Sequence, residues 1–420
     1  MAANPPDRVR CLLVLGAGPA QLGLLEAARA HGIWTAVCDR DPAAPGFAFA
    51  GRRCIVSIED ETAIERLASA LPLDGLIAPG TDESVAVAAR VAEKLGLTHP
   101  VSPQTAILAT SKSRQRAALE AAGIPQPRWQ LVSDEDEIEL PLPLVVKPAD
   151  RTRGRGLSVV SHSSELPAAL AAARAASRTA AIVEEYVGGD EVTVTGFSAA
   201  GEFLPLAVID RSPAPEPAFG VPLAQSWPSP HAAAAAEVAR RAVEALGIEN
   251  GPSFTQLRLS RGGPEVIEVA ARVVGGHDAE LVELVTGIDL NALALAAALG
   301  RPVTPGEVAG AFRPSVAAAA TRFLVAPNGR LESVEVPEGQ KGVVSTRLYR
   351  GRGHLFGPLR RSSDRAGAVL AVGSTPDEAL ARADAAAERI RFLTADAPAL
   401  PDGSLRQVVA HSDVASTSAR

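Results

Sequence analysis

The sequence predicts an α/β protein that opens on a parallel sheet, passes into a mixed α+β centre and closes on a smaller β-rich region. Three observations carry this. Over roughly the first hundred residues, short apolar runs alternate with Ala-rich stretches of helical spacing, the βαβα pattern of a parallel sheet. The centre then sets alternating strands around Gly turns, and beyond about Arg313 the texture changes to short strands with frequent glycine. A length of 420 residues suits about three domains.

The first unit reads as strands CLLVLG, WTAVCD, RCIVSI and DGLIAPG, with helices QLGLLEAARAHG, ETAIERLASALP and SVAVAARVAEKLG between and after them. Gly96 stands where a C-terminal helix glycine belongs. From Gln104 to Arg128 a helical hairpin is expected, stopped by Gly123 and Pro125. PLVVKP and LSVVS then flank the loop DRTRGRG as a hairpin-like flap, followed by a helix around Glu165 to Ala176. AIVEEYV and the two strands of EVTVTGFSAAGEFLPLAVI come next, then a helix from Ala232 to Leu246 and the strand pair of FTQLRLSRGGPEVIEVAARV. A helix around Asn291 to Leu299 ends the centre. TRFLVAPNG, GVVSTRLYRG and AGAVLAVGS give the closing strands, and TPDEALARADAAAERIRFL a final helix with Thr375 as N-cap. No internal repeat is present.

Composition narrows the function. Lys plus Arg number 41 against 48 Asp plus Glu, a net charge of −7, and with ten Phe, three Trp and two Tyr the chain offers neither a basic face nor base-stacking platforms; nucleic acid is excluded as a partner. Three cysteines, Cys11, Cys38 and Cys54, show no metal-ligand spacing and read as reduced, buried thiols. No apolar run reaches the ~18 residues of a membrane helix, and no signal-peptide pattern is present, so a cytoplasmic protein without a membrane partner is expected. A homo-oligomer is compatible with the sequence.

Four motifs carry chemistry. GAGPAQLG, Gly16 to Gly23, joins a strand to a helix as a dinucleotide site would, with Asp39 at the distance of a ribose contact. Gln21 replaces the third glycine, which favours a structural strand-to-helix turn. Lys147 beside the loop holding Arg151, Arg153, Gly154, Arg155 and Gly156 suits a polyphosphate, or else a basic surface hairpin. VEEYVGGDE places Glu184, Glu185, Val187 and Glu191 where an adenine and a ribose can be hydrogen-bonded; alone it is an acidic hairpin. Gln256 and Glu268 fall on paired strands, with Arg272 beyond, as oxygen ligands for a hard cation and a bidentate anion contact; alone they are an edge hairpin.

In this order the pieces resemble the ATP-grasp superfamily over roughly residues 10 to 395. The resemblance implies an ATP-grasp fold with a Rossmann-like pre-ATP-grasp domain (1–103), an ATP-grasp domain (104–312, flap about 140–196), a small β-rich C-terminal domain (313–398) and a flexible tail (399–420). It implies ATP contacts from Lys112, Lys147, Arg155, Gly156, Glu184 or Glu185, Val187 and Glu191. It also implies magnesium, with manganese as a substitute, on Glu268 and Gln256, and catalytic roles for Glu268 and Arg272. Two departures stand out. In the metal pair the first ligand is a neutral glutamine and Ala270 stands where an asparagine is common, so that ATP phosphates and water, or Asp278 or Glu265, are candidates to complete the shell. The flap is poorer in glycine and richer in arginine, with Arg151, Arg153 and Arg155 candidates to replace backbone N–H contacts.

The resemblance further implies that a small-molecule carboxylate attacks the γ-phosphate of ATP and that an amine opens the acyl-phosphate. EVAAR–GGH and the closing DRAGAVLAVGSTPDEAL are most similar to the stand-alone carboxylate-amine ligases that join amino acids into amides or dipeptides. The alternatives are a purine-biosynthetic carboxylase or formyl ligase and a nucleotide-binding protein without turnover. Candidate substrate contacts are Arg211, His231, Arg322, Arg347, His354 and, best placed after Gly275 and Gly276, His277.

Overall fold

The computed structural model describes residues 9–132, 138–149, 156–177, 180–215, 218, 220–275 and 277–395. Near its start the aliphatic strands β1 (Cys11–Leu15), β2 (Trp34–Asp39), β3 (Arg52–Ile55) and β4 (Gly75–Ile77) form a parallel sheet in the order β3-β2-β1-β4. Helices α1 (Leu22–Ala30), α2 (Glu61–Ser69) and α3 (Asp82–Leu95) accompany it, and Gly96 ends α3 in the left-handed conformation, as expected. The glycine-rich turn is structural: Gly16 has φ +113° and no room for a Cβ beside Gln21. Asp39 accepts a hydrogen bond from the Ala17 amide at 2.9 Å. Gln21, buried, donates to the Pro79 carbonyl at 2.6 Å, so its amide performs the packing that a third glycine would leave to the backbone.

Helices α4 (Pro103–Thr110) and α5 (Lys112–Ala121) form the expected hairpin. An antiparallel sheet follows in the order β5-β8-β6-β7, built from β5 (Trp129–Val132), β6 (Leu144–Pro148), β7 (Ser158–Val160) and β8 (Ala181–Glu185), with α6 (Leu166–Ala176) on one face. The β6–β7 hairpin is the flap read from the sequence.

The largest sheet has eight antiparallel strands, ordered β13-β12-β9-β10-β11-β14-β18-β16. They are β9 (Asp190–Ala199), β10 (Glu202–Pro213), β11 (Pro222–Trp227), β12 (Gly251–Ser260), β13 (Gly263–Ala270), β14 (Ala318–Leu324), β16 (Val343–Leu348) and β18 (Gly367–Gly373). The closing β-rich region therefore continues the central sheet through the β11–β14 pairing. A small sheet, β17-β15-β19, lies beyond it: β15 (Gly329–Glu335), β17 (Leu355–Phe356) and β19 (Arg391–Ala395).

Helices α7 (Ala232–Ala245), α8 (Asp278–Thr286), α9 (Leu290–Ala298), α10 (Pro305–Ala311) and α11 (Pro376–Arg389) complete the chain, and Thr375 caps α11 by accepting from the Glu378 amide. Seven elements go beyond the sequence reading. Six are additions: β5, β11, β15, β17, α8 and α10. The seventh is a correction, since α11 stops at Arg389 and Arg391–Ala395 is strand β19, not the end of a helix. Pairing with β15 outweighs the helical periodicity that continues into Phe392 and Leu393. No single helix among the described residues is long and apolar enough to cross a membrane.

Candidate active site

One cavity of 620 Å³ lies where the parallel sheet, the flap sheet and the large sheet meet. Lys112, Lys147, Glu184, Glu185, Val187, Glu191, Arg211, Gln256, Glu268 and Arg272 all line it, although they come from separate segments of the chain. The residues that place them are largely ones the motifs did not reveal.

The deepest part is a buried ion network. Arg116 on α5 grips Glu184 at the end of β8 with two bonds, 2.8 and 3.1 Å, and Lys147 on β6 meets the same carboxylate at 2.7 Å. Arg116 also donates to the carbonyls of Val266 and Ile267, at 2.7 and 2.8 Å. Those carbonyls sit at a β-bulge: Gln256 opposes Glu268 and Leu257 opposes Val266, which leaves Ile267 as the extra residue. A bulge re-aims the side chain next to it, here Glu268, and one arginine thus ties the position of Glu268 to that of Lys147. Burial alone would raise the Glu184 pKa, but Arg116 and Lys147 outweigh it and hold it at about 2. Arg116→Met would leave Glu184 with Lys147 alone and take a donor from the Val266 and Ile267 carbonyls, all in a dry site. A loss of about 3 kcal/mol in unfolding free energy is expected by urea titration; a change under 0.5 kcal/mol would mean that the network relaxes or rehydrates.

Lys147 is pushed the other way. Burial lowers its pKa to about 8; Glu184 pulls it back up in part, and Arg116 and Lys112 add repulsion. A lysine that neutralises a phosphate must be protonated, so its contribution is complete well below pH 8 and is lost as pH rises through that value. We expect kcat/KM for ATP to fall on the alkaline side with a midpoint near 8, and Lys147→Arg to move that limb upward. A flat profile from pH 7 to 9.5 would count against a cationic role.

Glu191 at the start of β9 sits between two guanidinium groups, Arg211 at 3.0 Å and Arg258 at 3.4 Å, and Arg258 also lies over the Tyr186 ring. Each carboxylate oxygen thereby has its own guanidinium partner. Gln256 and Glu268 are opposite one another on β12 and β13 and face the cavity with one amide and one carboxylate. Among the described residues no group of three or more His, Cys, Asp or Glu side chains is placed to hold a metal alone. The oxygen chemistry of the pair fits a hard cation that takes the rest of its shell from phosphate and water. Asp278, at the start of α8, is near Arg211 and Arg365 and bonds Gln225; Glu265 faces Arg258 across the β12–β13 ladder and does not line the cavity.

Several expected contacts fall elsewhere. His277 is buried behind the cavity wall, stacked 6.2 Å from Tyr349, and burial lowers its pKa to about 3, with Arg347 and Arg365 contributing. Arg322 pairs with Asp384, Arg347 bridges Glu26 and Glu280, and His354 packs edge-on against Phe356. His231 precedes α7 away from the cavity lining. Glu185 is at the cavity but its carboxylate is held by Arg128. Gly156 packs against α6. Arg151, Arg153, Arg155, Gly276 and the tail lie outside the described residues. The motifs missed Arg116, Asp82 and the group Tyr349, Arg350, Arg361 and Arg365, which reach the cavity only through packing. Nothing in SKSRQRAALE separates a buried arginine from a solvated one.

Comparison with known proteins bears on the family and the fold. Residues 140–280 match the family model described as ATP-grasp domain, and residues 322–395 match L-amino acid ligase C-terminal domain 2. A formate-dependent phosphoribosylglycinamide formyltransferase of Burkholderia lata is 28% identical over 417 residues, spanning 93% of this chain and 97% of its own. An L-amino acid ligase from Bacillus licheniformis has the same fold with a TM-score of 0.78 at 24% identity, over 93% of this chain and all (100%) of that one. A phosphoribosylglycinamide synthetase from Anaerococcus prevotii superposes with a TM-score of 0.76 at 21% identity, over 92% of this chain and 100% of its own.

Proposed function

We propose that this chain, an enzyme built on an ATP-grasp domain and ending in an L-amino acid ligase C-terminal domain, joins a small carboxylate to an amine at the expense of ATP. The observation that supports it most is the convergence of Lys112, Lys147, Glu191, Glu268 and Arg272 on one cavity. In this reading the adenine lies against the Glu184–Val187 hinge, the ribose against Glu191, and the phosphates between the two lysines. A carboxylate oxygen attacks the γ-phosphorus, the bond to the bridging oxygen breaks, and ADP departs. The amine nitrogen then attacks the acyl carbon, phosphate leaves, and the nitrogen releases a proton to give the amide.

Such phosphoryl transfer asks little covalent help of the protein, so fixed charges suffice. Magnesium, held by the Glu268 carboxylate with the Gln256 amide oxygen, would supply positive charge at the phosphates. The flap would keep water from the acyl-phosphate. The small-molecule substrates are taken to be amino acids or close relatives, and the site of action the cytoplasm, in keeping with three cysteines that form no disulfide.

A second reading has one observation in its favour, the near full-length similarity to a formate-dependent phosphoribosylglycinamide formyltransferase. There the carboxylate would be formate and the amine a phosphorylated glycinamide. Purified protein with ATP, magnesium and hydroxylamine as a trap, offered single carboxylates, separates the two. An amino acid that yields ADP, phosphate and a hydroxamate supports the first reading, and formate alone the second. AMP and pyrophosphate as products would exclude both.

A further inference from the structure

Arg272 lines the proposed site beyond the Gln256–Glu268 pair, and its direction is set by a residue of the parallel-sheet unit. Asp82, the first residue of α3, binds it with two hydrogen bonds, 2.5 Å to Nε and 3.0 Å to Nη2. Arg272 adds a bond from Nη1 to its neighbour's carbonyl, Val273 O, at 3.2 Å, and lies 5.0 Å over the Phe254 ring. These bonds use three of the five N–H groups of a guanidinium, all from one edge and the near end. The residue nevertheless lines the cavity.

Asp82 is itself held. It is 4% exposed, and the loop before it is fastened to the same segment as Arg272: the Gly80 amide donates to the Val273 carbonyl at 3.2 Å, and Gln21 donates to the Pro79 carbonyl at 2.6 Å. The contact is close enough that a side chain at Gly275 would strike Ala20. The glycine-rich turn, the 79–82 loop and the segment after β13 thus form one rigid junction.

We propose that Asp82 is a positioning residue for the reaction, through which the parallel-sheet unit, whose own glycine-rich turn is structural, aims the Arg272 guanidinium at the developing acyl-phosphate. The assignment rests on the ligase reading. An arginine side chain has many rotamers, so an unanchored guanidinium samples many directions. The carboxylate takes away part of the field a lone cation would project, and Glu83 and Glu268 take more. What it gives is a fixed edge of donors before the substrate arrives, the condition under which electrostatic stabilisation is most effective.

The test is a cycle of four proteins: wild type, Asp82→Asn, Arg272→Lys and the double variant, each assayed for hydroxamate formation with kcat and KM for ATP measured separately. Lysine keeps the charge but cannot be gripped along an edge. Asp82→Asn is expected to lower kcat about 30-fold in the wild type with KM for ATP within about threefold, and to cost less than about threefold in the Arg272→Lys background. Equal costs in both backgrounds, or a loss carried by KM, would overturn the proposal. Asp82→Glu, which keeps the charge but displaces it, guards against a folding defect in the asparagine variant; wild-type turnover from Asp82→Glu would also overturn it. A wild type that makes ADP with no carboxylate overturns the ligase reading and this role with it, whereas an active wild type with an additive cycle overturns this role alone.

Discussion

Arg272→Ala is expected to lower kcat by about 10³-fold while KM for ATP changes by less than about threefold. The guanidinium is tied to Asp82 and Phe254, which lie outside the Glu184–Val187 hinge, so nucleotide binding is not expected to depend on it. Its Coulomb partners are Asp82, Glu268 and Glu83; burial by itself would lower its pKa, but these acids raise it, and the side chain stays charged at any working pH. A cation that is fixed and desolvated contributes most where negative charge builds on the acyl-phosphate, and alanine removes that contribution; Arg211 and Arg365 also line the cavity but are not fixed by Asp82. Rapid-quench measurement of ADP formation checks it. A variant that forms ADP at the wild-type rate but no amide would move Arg272 from the first step to the second, and normal turnover would remove it from the site.

Glu268→Gln carries the second largest expectation, a loss of about 100-fold in kcat together with a weaker dependence on magnesium. The change is nearly isosteric, so the bulge at Ile267 and its bonds to Arg116 have no reason to move. Only charge is lost, and it is lost where Gln256 already contributes none. The pair would then offer two amide oxygens to a hard cation that prefers carboxylate. Rates measured across a magnesium series should show half-saturation at about tenfold higher metal or beyond. An unchanged series would mean that ATP phosphates and water alone hold the ion, and that Glu268 serves another purpose.

Much of this could be read without coordinates, for reasons that differ between regions. The βαβα start, the α4–α5 hairpin and the flap all rest on local periodicity with Gly or Pro at their ends, signals that survive in the chain order. The motif residues were legible because ATP chemistry asks for particular residue types next to recognisable turns. β11 was not, since PLAQSW alternates weakly and becomes a strand only by lying between β10 and β14. The last turn of α11 failed for the same reason in reverse. His277 was inferred from its place in the chain after Gly275 and Gly276, and packing turned it away from the cavity.

The residue types at the site, their order along the chain and the elements that carry them were determined by the sequence, because helix stops, strand alternation and turn chemistry act over a few residues. Which side chains meet was decided by tertiary structure. Arg116 reaches Glu184 across 68 positions and Arg272 reaches Asp82 across 190, separations over which no local preference acts. Both contacts exist because the fold buries charges that must then find partners, and a buried charge takes the partner that packing brings within reach. The same requirement explains the strand-to-helix turn at Gly16. Its glycines alone would allow a dinucleotide, but with Asp39 and Gln21 both spent on the backbone around it, the turn became part of the frame that holds Arg272.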